Sequence, residues 1–327
     1  MKLPLTVACW DYDRTRQLFD GSAGIEGCDT NMLCLPVEET FFRALRSTEF
    51  DVAELSLSSY TMMRSRGACP YIAVPVFLSR MFRHSAIYVR EGSPLRSPQD
   101  LRGKIVGVPE YQLTAPVWVR GILQDEYGVQ PHDIKWRSGG VETPGRHEKV
   151  GFAPPAGVEL EPIPVTDTLD QHLLDGRIDA LIAPRAPASF EKGLSVRLFK
   201  NLRETERAYF DKTRIFPIMH VVGIRASLLE QHPWLAGSVF KAFNQARDHA
   251  LRELSEVGAL KTSLPWLTSE YEDTVAAMGR DFWSYGVQPN KPALEAFLRY
   301  HHQQGLSPRL MQAGELFAPT THEQFVI

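Results

Sequence analysis

The strand, turn and helix between residues 97 and 127 constrain the fold of this chain more than any other segment. An apolar strand at 105–108 leads through a turn at 109–113 into a helix that we predict to begin near Thr114. Thr114 is suited to cap this helix, and Pro116 fits its first turn, where a missing N–H costs nothing. Such a unit directs backbone N–H groups and the positive helix end at an anion. The segment predicts an α/β core, with either an anion site or plain βα packing at this turn.

Strands and helices alternate on both sides of this segment. Apolar strands are predicted at 3–9, 31–35, 52–57, 71–77, 86–89, 160–165 and 178–183, and helices at 15–19, 36–47 and 169–174. The stretch 138–155 is rich in Gly, Pro and charge, which predicts a long loop. A last strand lies within 213–225, and helices near 233–251, 269–284 and 292–304 form a C-terminal helical section.

This order of elements predicts an α/β protein of two lobes with a ligand cleft between them. Lobe 1 would contain residues 1–90 and 201–327, including the helical section, and lobe 2 would contain residues 91–200. The chain would cross between the lobes near 88–91 and again within 198–217. The arrangement resembles the type 2 periplasmic-binding-protein fold.

Composition and charge exclude several classes of function. Hydrophobic residues make up 43% and charged residues 23% of the chain, as in ordinary globular proteins. The net charge is -3 with acidic and basic residues well mixed, so we expect no nucleic-acid partner. We also expect no membrane association, because no apolar run is long enough to cross a bilayer. The chain has neither a GxGxxG motif nor a P-loop. A small molecule is the expected partner.

The cysteines and histidines form no metal-binding pattern. The four cysteines lack paired spacing, so we expect reduced thiols in a cytoplasmic protein. The N-terminus lacks the features of a secretory signal, which favours the same location. The ten histidines form no HxH or HExxH motif, and the adjacent His301 and His302 are expected on a helix surface. No metal ligand is therefore assigned.

Polar and basic side chains follow several of the predicted strands. Ser58, Ser59 and Thr114 lie at helix starts, where hydroxyl and backbone N–H groups can bind an anion. Arg80 and Arg83 lie between two apolar strands, and guanidinium groups bind planar carboxylates bidentately. The structural alternatives are helix capping for the hydroxyl residues and a solvated loop for the arginines.

Arg185 and His220 are placed differently. Arg185 lies between prolines after a buried strand, at the sheet edge where open α/β folds bind ligands. His220 interrupts an apolar strand, and a histidine in that position is more often a core residue than a catalytic one. The catalytic alternative is an imidazole whose apolar neighbours tune its pKa towards neutrality.

Six blocks of sequence carry a closer resemblance. They are WDYDRTRQLFDG at 10–21, DVAELSLSSY at 51–60, PVFLSRMFRHSAIYVR at 75–90, GVPEYQLTAPVWVRGIL at 107–123, DALIAPR at 179–185 and IFPIMH at 215–220. These blocks resemble the motifs of 4,5-dihydroxyphthalate decarboxylases, in the same order and over most of the chain. Trp10 departs from the pattern, in which small or polar rings precede the Tyr-Asp-Arg, and would reshape that edge of the pocket.

The resemblance implies a cytoplasmic carboxy-lyase of phthalate degradation that converts 4,5-dihydroxyphthalate into 3,4-dihydroxybenzoate and CO₂. It also implies a solute-binding cleft that has become an active site. Direct loss of CO₂ would leave an unstable aryl carbanion, so protonation of the ring carbon is the expected first step. That step requires a base near a phenol, an acid near the ring carbon, and cations for the dianionic substrate.

The implied roles have several candidates each. The acid and base candidates are His220, His84 and Glu110. The candidates for binding the carboxylates are Arg80, Arg83, Arg185 and Arg14, supplemented by Ser58, Ser59 and Thr114. The candidates for hydroxyl contacts or stacking are Tyr12, Tyr60 and Tyr111. No cofactor is expected, but catechols chelate metals, which leaves a divalent metal as an alternative.

Two other functions remain open on the sequence. One is a solute-binding protein that captures an aromatic dicarboxylate without transforming it. The other is a different small-molecule enzyme of the same fold with another acid/base pair. We expect the cleft to close on its ligand, because residues of opposite lobes such as Ser58 and Arg185 would otherwise be far apart. The long loop and the helical section offer surfaces for a homo-oligomer.

Overall fold

The computed structural model describes residues 1–322, and two β-sheets lie within that range. The strands in chain order are β1 (Leu3–Cys9), β2 (Cys28–Cys34), β3 (Val52–Ser56), β4 (Tyr71–Arg80), β5 (Ile87–Arg90), β6 (Ile105–Val108), β7 (Lys135–Ser138), β8 (Glu159–Pro162), β9 (Ala180–Ile182), β10 (Ser195–Arg197) and β11 (Ile218–Arg225). The α-helices in chain order are α1 (Arg16–Phe19), α2 (Val37–Ser47), α3 (Leu57–Ser65), α4 (Thr114–Tyr127), α5 (Leu169–Leu174), α6 (Ala188–Glu191), α7 (Leu202–Thr213), α8 (Ala226–Gln231), α9 (Leu235–Leu254), α10 (Leu267–Met278) and α11 (Lys291–Gln303).

The first sheet has the strand order β2-β1-β3-β11-β4. β1 is parallel to β2 and β3, whereas β11 is antiparallel to β3 and β4. Its central strands are apolar because both faces are covered; Val52, Leu55 and Ile224 are fully buried. Because β1 is parallel to β3 and β11 is antiparallel to both β3 and β4, the C-terminal ends of β1, β3 and β4 lie at the same edge as the start of β11.

The second sheet has the order β10-β5-β9-β6-β7-β8. β9, β6, β7 and β8 are parallel neighbours, and β5 is antiparallel to β9 and β10. Apolar side chains of β6, β7 and β9 fill the core of this sheet, among them Val106, Trp136 and Leu181. The prediction of a two-lobed α/β fold is confirmed.

The chain changes sheet between Arg80 and Ile87, because β4 belongs to the first sheet and β5 to the second. This change of sheet comes before the crossing predicted at 88–91. The chain returns between Arg197 and Ile218 and forms α7 on the way, which the sequence pattern had not predicted. The division of the chain into lobes at residues 90 and 200 stays a prediction.

Helix α4 joins the two halves of the molecule. Gly121 lies where α4 meets α11, and a Cβ atom at this position would come within 2.2 Å of the Tyr300 ring. The side chains that surround this contact are apolar and buried, including Val117 and Trp118. Trp118 also donates from its indole N–H to the carbonyl of Ile218 at 2.9 Å, which ties α4 to the first sheet.

Two predictions about helix residues were wrong. Thr114 does not cap α4, because Leu113 occupies the N-cap position and Thr114 is the first helical residue. His301 is fully buried instead of lying at the surface. It is hydrogen-bonded through Nε2 to Ser58 and through Nδ1 to Ser307. None of the helices within residues 1–322 is both long and apolar enough to cross a membrane.

Candidate active site

His220 and Glu54 form a close pair on neighbouring strands. The β3–β11 register sets His220 opposite Ser56, so its side chain lies diagonally across from Glu54 on the same face. Nδ1 of His220 is 2.6 Å from Oε1 of Glu54. The Glu54 side chain is fully buried, whereas the His220 side chain is 16% exposed. The carboxylate thus orients the imidazole, and Nε2 has no hydrogen-bond partner among the described residues.

Glu54 also accepts hydrogen bonds from the loop that follows β1. The hydroxyl of Tyr12 donates to Oε1 at 2.7 Å, and the backbone N–H of Trp10 donates to Oε2 at 3.0 Å. Burial and the neighbouring Glu54 carboxylate raise the pKa of Tyr12, so this hydroxyl keeps its proton. With the imidazole, these donors compensate for burying the charge of Glu54. The guanidinium carbon of Arg14 lies over the Tyr12 ring, 4.1 Å from the ring centroid.

Phe41 of α2 connects this pair with a large cavity. Its ring meets the His220 ring edge-on, with centroids 4.8 Å apart. Phe41 also lines a cavity of about 990 Å³ between α2, the loop that joins β7 to β8, and the segment 183–186 after β9. The cavity therefore lies between elements of both sheets. His220 approaches it through Phe41 and does not itself line it.

The cavity wall carries charges of both signs. Its basic lining residues are Arg46, Arg66, Arg146, Lys149 and Arg185, and its acidic ones are Glu38, Glu110, Glu142 and Glu148. Glu110, which follows β6, is almost fully buried and lies 2.7 Å from the Arg146 guanidinium and 3.0 Å from the Lys149 ammonium. Arg146 also pairs with Glu38 of α2 at 3.0 Å. Arg146 thus links an acid of the first half of the fold to an acid of the second.

Glu148 lies on the same loop in a different environment. Its carboxyl oxygens accept hydrogen bonds from the backbone N–H groups of Tyr111 and Gln112. It forms no ion pair with any residue in 1–322. Burial, with a further contribution from the charge of Glu110, raises the pKa of Glu148 to about 7. The two neighbouring acids therefore differ in their electrostatic surroundings, because basic groups contact only Glu110.

The predicted hydroxyl residues lie where the two halves meet. Thr114 Oγ1 is 3.0 Å from Ser56 Oγ and accepts the backbone N–H of Ser58 at 3.1 Å. Ser59 Oγ lies 3.4 Å from Gln112 Oε1. The Ser58 hydroxyl is fully buried and bonded to His301 at 3.1 Å. Thr114, Ser58 and Ser59 thus contact one another or the protein interior, and they do not line the cavity.

The four predicted arginines are distributed over different places. Arg185 lines the cavity, and Arg14 lies over Tyr12. Arg80 donates to Asn290 near α11, and burial lowers its pKa to about 9. Arg83 donates to Met219 Sδ at 3.0 Å and to the Pro184 carbonyl at 3.3 Å, and burial lowers its pKa to about 10. Of these four, the structure brings only Arg185 to the cavity.

Three further candidates, His84, Tyr60 and Tyr111, are buried in the protein interior. His84 is packed between the rings of Phe199 and Tyr209, its ring nitrogens have no partners among the described residues, and burial lowers its pKa to about 4. Tyr60 is fully buried; its hydroxyl donates to the Leu316 carbonyl and accepts from the Ala73 N–H. The structure does not bring His84 or Tyr60 to the His220–Glu54 pair or to the cavity.

Tyr111 is also fully buried, and its ring stacks against Phe152. The guanidinium carbon of Arg120 lies over the same ring, 3.6 Å from the Tyr111 ring centroid. The backbone N–H of Tyr111 contributes to the site through Glu148, but its ring packs in the interior. Within residues 1–322, no group of three or more His, Cys, Asp and Glu side chains is placed to hold a metal ion.

Four residues of the site were not predicted from the sequence: Glu54, Arg146, Glu148 and Lys149. Glu54 is the single charged residue of β3, and the same signal, a polar residue in an apolar strand, had selected His220. The other three lie on the loop 139–158, where no periodicity predicts which side chains point inwards.

Comparison with known proteins places the chain in a family. A 4,5-dihydroxyphthalate decarboxylase from Comamonas testosteroni is 46% identical over 328 residues, which cover 100% of this chain and 99% of that protein. The chain belongs to the 4,5-dihydroxyphthalate decarboxylase family. A second family member, from Pseudomonas putida, is 48% identical over 192 residues, covering 59% of this chain and 74% of that protein. The family resemblance predicted from the six sequence blocks is confirmed.

The decarboxylase family shares its fold with solute-binding proteins. A family model described as "ABC transporter, phosphonate, periplasmic substrate-binding protein" matches residues 33–153. The periplasmic aliphatic sulphonate binding protein of Escherichia coli superimposes with a TM-score of 0.55 at 12% identity, covering 98% of this chain and 99% of that one. A putative sulfonate-binding protein from Methylobacillus flagellatus gives 0.55 at 14% identity, with coverages of 98% and 92%. These likenesses establish the binding-protein fold.

Proposed function

We propose that this protein is a cytoplasmic carboxy-lyase that releases one carboxylate of 4,5-dihydroxyphthalate as CO₂ and leaves 3,4-dihydroxybenzoate. A relative that matches the whole chain at 46% identity bears the name of this activity. The structural observation that supports the chemistry best is the pairing of His220 with buried Glu54 beside a cavity lined by basic residues. The four cysteines are free thiols, which fits a reducing compartment.

The reaction begins by increasing the electron density of the ring. Each carboxylate of 4,5-dihydroxyphthalate has a hydroxyl para to it. Deprotonating that hydroxyl pushes electrons towards the carbon that bears the carboxylate, which can then accept a proton. The carbon–carboxylate bond breaks afterwards and its electron pair restores the aromatic ring. This order avoids a free aryl carbanion.

His220 is the proposed base for the phenol. Because Nδ1–H faces the Glu54 carboxylate at 2.6 Å, the neutral ring presents its lone pair at Nε2. Glu54 also stabilises the imidazolium that forms when Nε2 takes the phenolic proton. Tyr12 donates to the same carboxylate oxygen and fixes its position. His220 returns the proton to the phenolate once CO₂ has left.

Arg185 is the proposed principal contact for a substrate carboxylate. It lines the cavity and forms no ion pair with any described residue, whereas Arg146 and Lys149 are already paired with Glu110. A guanidinium without a carboxylate partner is the group best able to gain one from the ligand. Arg66 lines the same cavity, and its Nη1 donates to the Gly151 carbonyl at 2.9 Å.

The fold of the structural neighbours supports a second candidate, a protein that binds an aromatic dicarboxylate without transforming it. The test is to incubate the purified protein with 4,5-dihydroxyphthalate and measure CO₂ and 3,4-dihydroxybenzoate, with and without a metal chelator. Stoichiometric formation of both, with no turnover of phthalate, supports the decarboxylase. Tight binding without CO₂ would contradict it and favour the binding protein. Loss of turnover with chelator would show that a metal takes part.

A further inference from the structure

Glu110 and Glu148 are two neighbouring acids with opposite surroundings. Glu110 receives the Arg146 guanidinium at 2.7 Å, the Lys149 ammonium at 3.0 Å and the Lys149 backbone N–H at 3.0 Å. Gln112 Nε2 donates to it at 3.2 Å. Glu110 thus has two cationic partners in addition to its N–H donors.

Glu148 accepts two backbone N–H groups but forms no ion pair with any residue in 1–322. Besides the backbone donors of Tyr111 and Gln112, the charged or titratable groups that face it are Glu110 on the segment after β6, Tyr111, and Arg120 of α4. The Arg120 guanidinium already has other hydrogen-bond partners. Its Nε donates to Gln304 at 2.7 Å, and its Nη2 donates to the Tyr111 carbonyl at 2.6 Å. Burial and the adjacent Glu110 charge keep the pKa of Glu148 at about 7, so a large fraction carries a proton at neutral pH.

Paired carboxyl groups with different environments are a common way to place an acid in an active site. We propose that Glu148 is the proton donor to the ring carbon from which CO₂ departs. Glu148 lines the cavity on the same loop as Arg146 and Lys149, and Arg185 lines the same cavity. This inference rests on the proposed decarboxylase function.

The proposed step transfers the Glu148 proton to the ring carbon. The Glu148 O–H bond breaks as a C–H bond forms at the ring carbon, which becomes tetrahedral while the para oxygen becomes a carbonyl. The carbon–carboxylate bond then breaks, CO₂ leaves, and the bonding electrons restore the aromatic ring and the phenolate. Solvent returns a proton to the Glu148 carboxylate. The net consumption is one proton for each CO₂ released, with no oxidant or reductant.

The other acids of the cavity fit this role less well. Glu110 forms ion pairs with Arg146 and Lys149, and Glu38 pairs with Arg146 at 3.0 Å. Glu142 is exposed, and it accepts the backbone N–H of Ala188 at 2.7 Å. Glu148 alone among them combines a mostly buried carboxyl with the absence of an ion pair within residues 1–322.

The test compares Glu148→Gln with Glu148→Asp and with Glu161→Gln, an exposed acid of β8 outside the cavity that serves as the matched control. Native protein is assayed first for CO₂ release, so failure of the proposed function is recognised separately. We expect Glu148→Gln to lower kcat about 100-fold or more with little change in the Kd for 4,5-dihydroxyphthalate. Glu148→Asp, which keeps a carboxylic acid, should recover part of kcat, and Glu161→Gln should match the native enzyme.

A Glu148→Gln enzyme whose kcat stays within about threefold of native, or whose loss lies entirely in Kd, would overturn the assignment. If that variant does not fold, the native pH profile decides. Because only protonated Glu148 donates, native kcat must fall as the pH rises above about 7. A native kcat that stays level from pH 7 to pH 9 would overturn the assignment as well.

Discussion

Nδ1 of His220 lies 2.6 Å from Oε1 of Glu54, a carboxylate with no exposed surface of its own. A charge buried to this extent costs several kcal/mol unless it is paired, so the pair is held together by the penalty for separating it. Both residues lie on neighbouring strands of the first sheet, β3 and β11, which fixes their distance more firmly than a loop would.

Replacing Glu54 by Gln should abolish most of the activity. The amide cannot stabilise an imidazolium, and it can turn the histidine to the other tautomer, so we expect kcat to fall about 100-fold or more. Tyr12→Phe is the matched comparison, since it removes one donor to Glu54 and leaves the carboxylate in place. We expect a loss of about tenfold or less for that variant. Equal losses in the two variants would argue against a special role for the carboxylate.

Arg185→Gln should mainly weaken substrate binding. Losing a charge-assisted hydrogen bond to a carboxylate costs about 1.5–3 kcal/mol, which raises KM about tenfold or more. The control is Arg203→Gln, because Arg203 is exposed and pairs with Glu270 and Asp273 on α10. Steady-state kinetics of both variants provide the measurement. An unchanged KM in Arg185→Gln would remove Arg185 from the substrate contacts.

Gly121→Ala should destabilise the fold at the contact between α4 and α11. The added Cβ would lie 2.2 Å from a ring carbon of Tyr300, whose ring is buried and cannot move freely. Overpacking of this kind costs about 1–3 kcal/mol. Gly237→Ala in α9 is the control: a Cβ there meets nothing within 4 Å, so helix propensity should stabilise it by about 1 kcal/mol. Urea unfolding of both variants measures the difference; a Gly121→Ala protein as stable as native would contradict the packing.

His84 should make the protein sensitive to acid. Burial lowers its pKa from 6.5 to about 4 in the folded state, so between these values the unfolded chain binds the extra proton. The free energy of unfolding must then fall as the pH falls from 6.5 to about 4, by about 3 kcal/mol for this residue. In His84→Leu that dependence should be reduced, whereas in His132→Gln, an exposed histidine, it should persist. Unfolding midpoints at pH 7 and pH 4.5 provide the comparison. An unchanged slope in His84→Leu would show that His84 takes up its proton without unfolding.

The fold was largely predictable because each element has its own pattern. Strand β1 and helix α5 coincide with the predicted ranges 3–9 and 169–174, since both are short apolar or amphipathic runs with clear ends. Helix α7 was missed because half of the residues in Leu202–Thr213 are charged, and only Tyr209 of it is buried. The apolar face of such a helix is too narrow for its sequence pattern to be distinguished from that of a loop.

The site was less predictable because it depends on contacts between distant residues. His220 could be selected from its own strand, but its partner Glu54 lies 166 residues away. Arg80 is the last residue of β4, and Arg83 and His84 follow it at the same sheet edge as His220. Their side chains nevertheless pack against Asn290, Met219 and an aromatic cluster, respectively. The loop that carries Arg146 and Glu148 has no periodicity, so only the folded chain reveals which of its side chains enter the cavity.

The most direct test of the proposed mechanism is CO₂ release from 4,5-dihydroxyphthalate by His220→Ala, with and without added imidazole. We predict a folded variant that binds the substrate, has lost about 100-fold or more of its kcat, and regains part of it when imidazole supplies the missing base. A folded His220→Ala enzyme that releases CO₂ at the native rate would contradict the proposed mechanism, because the His220–Glu54 pair would then have no part in the chemistry.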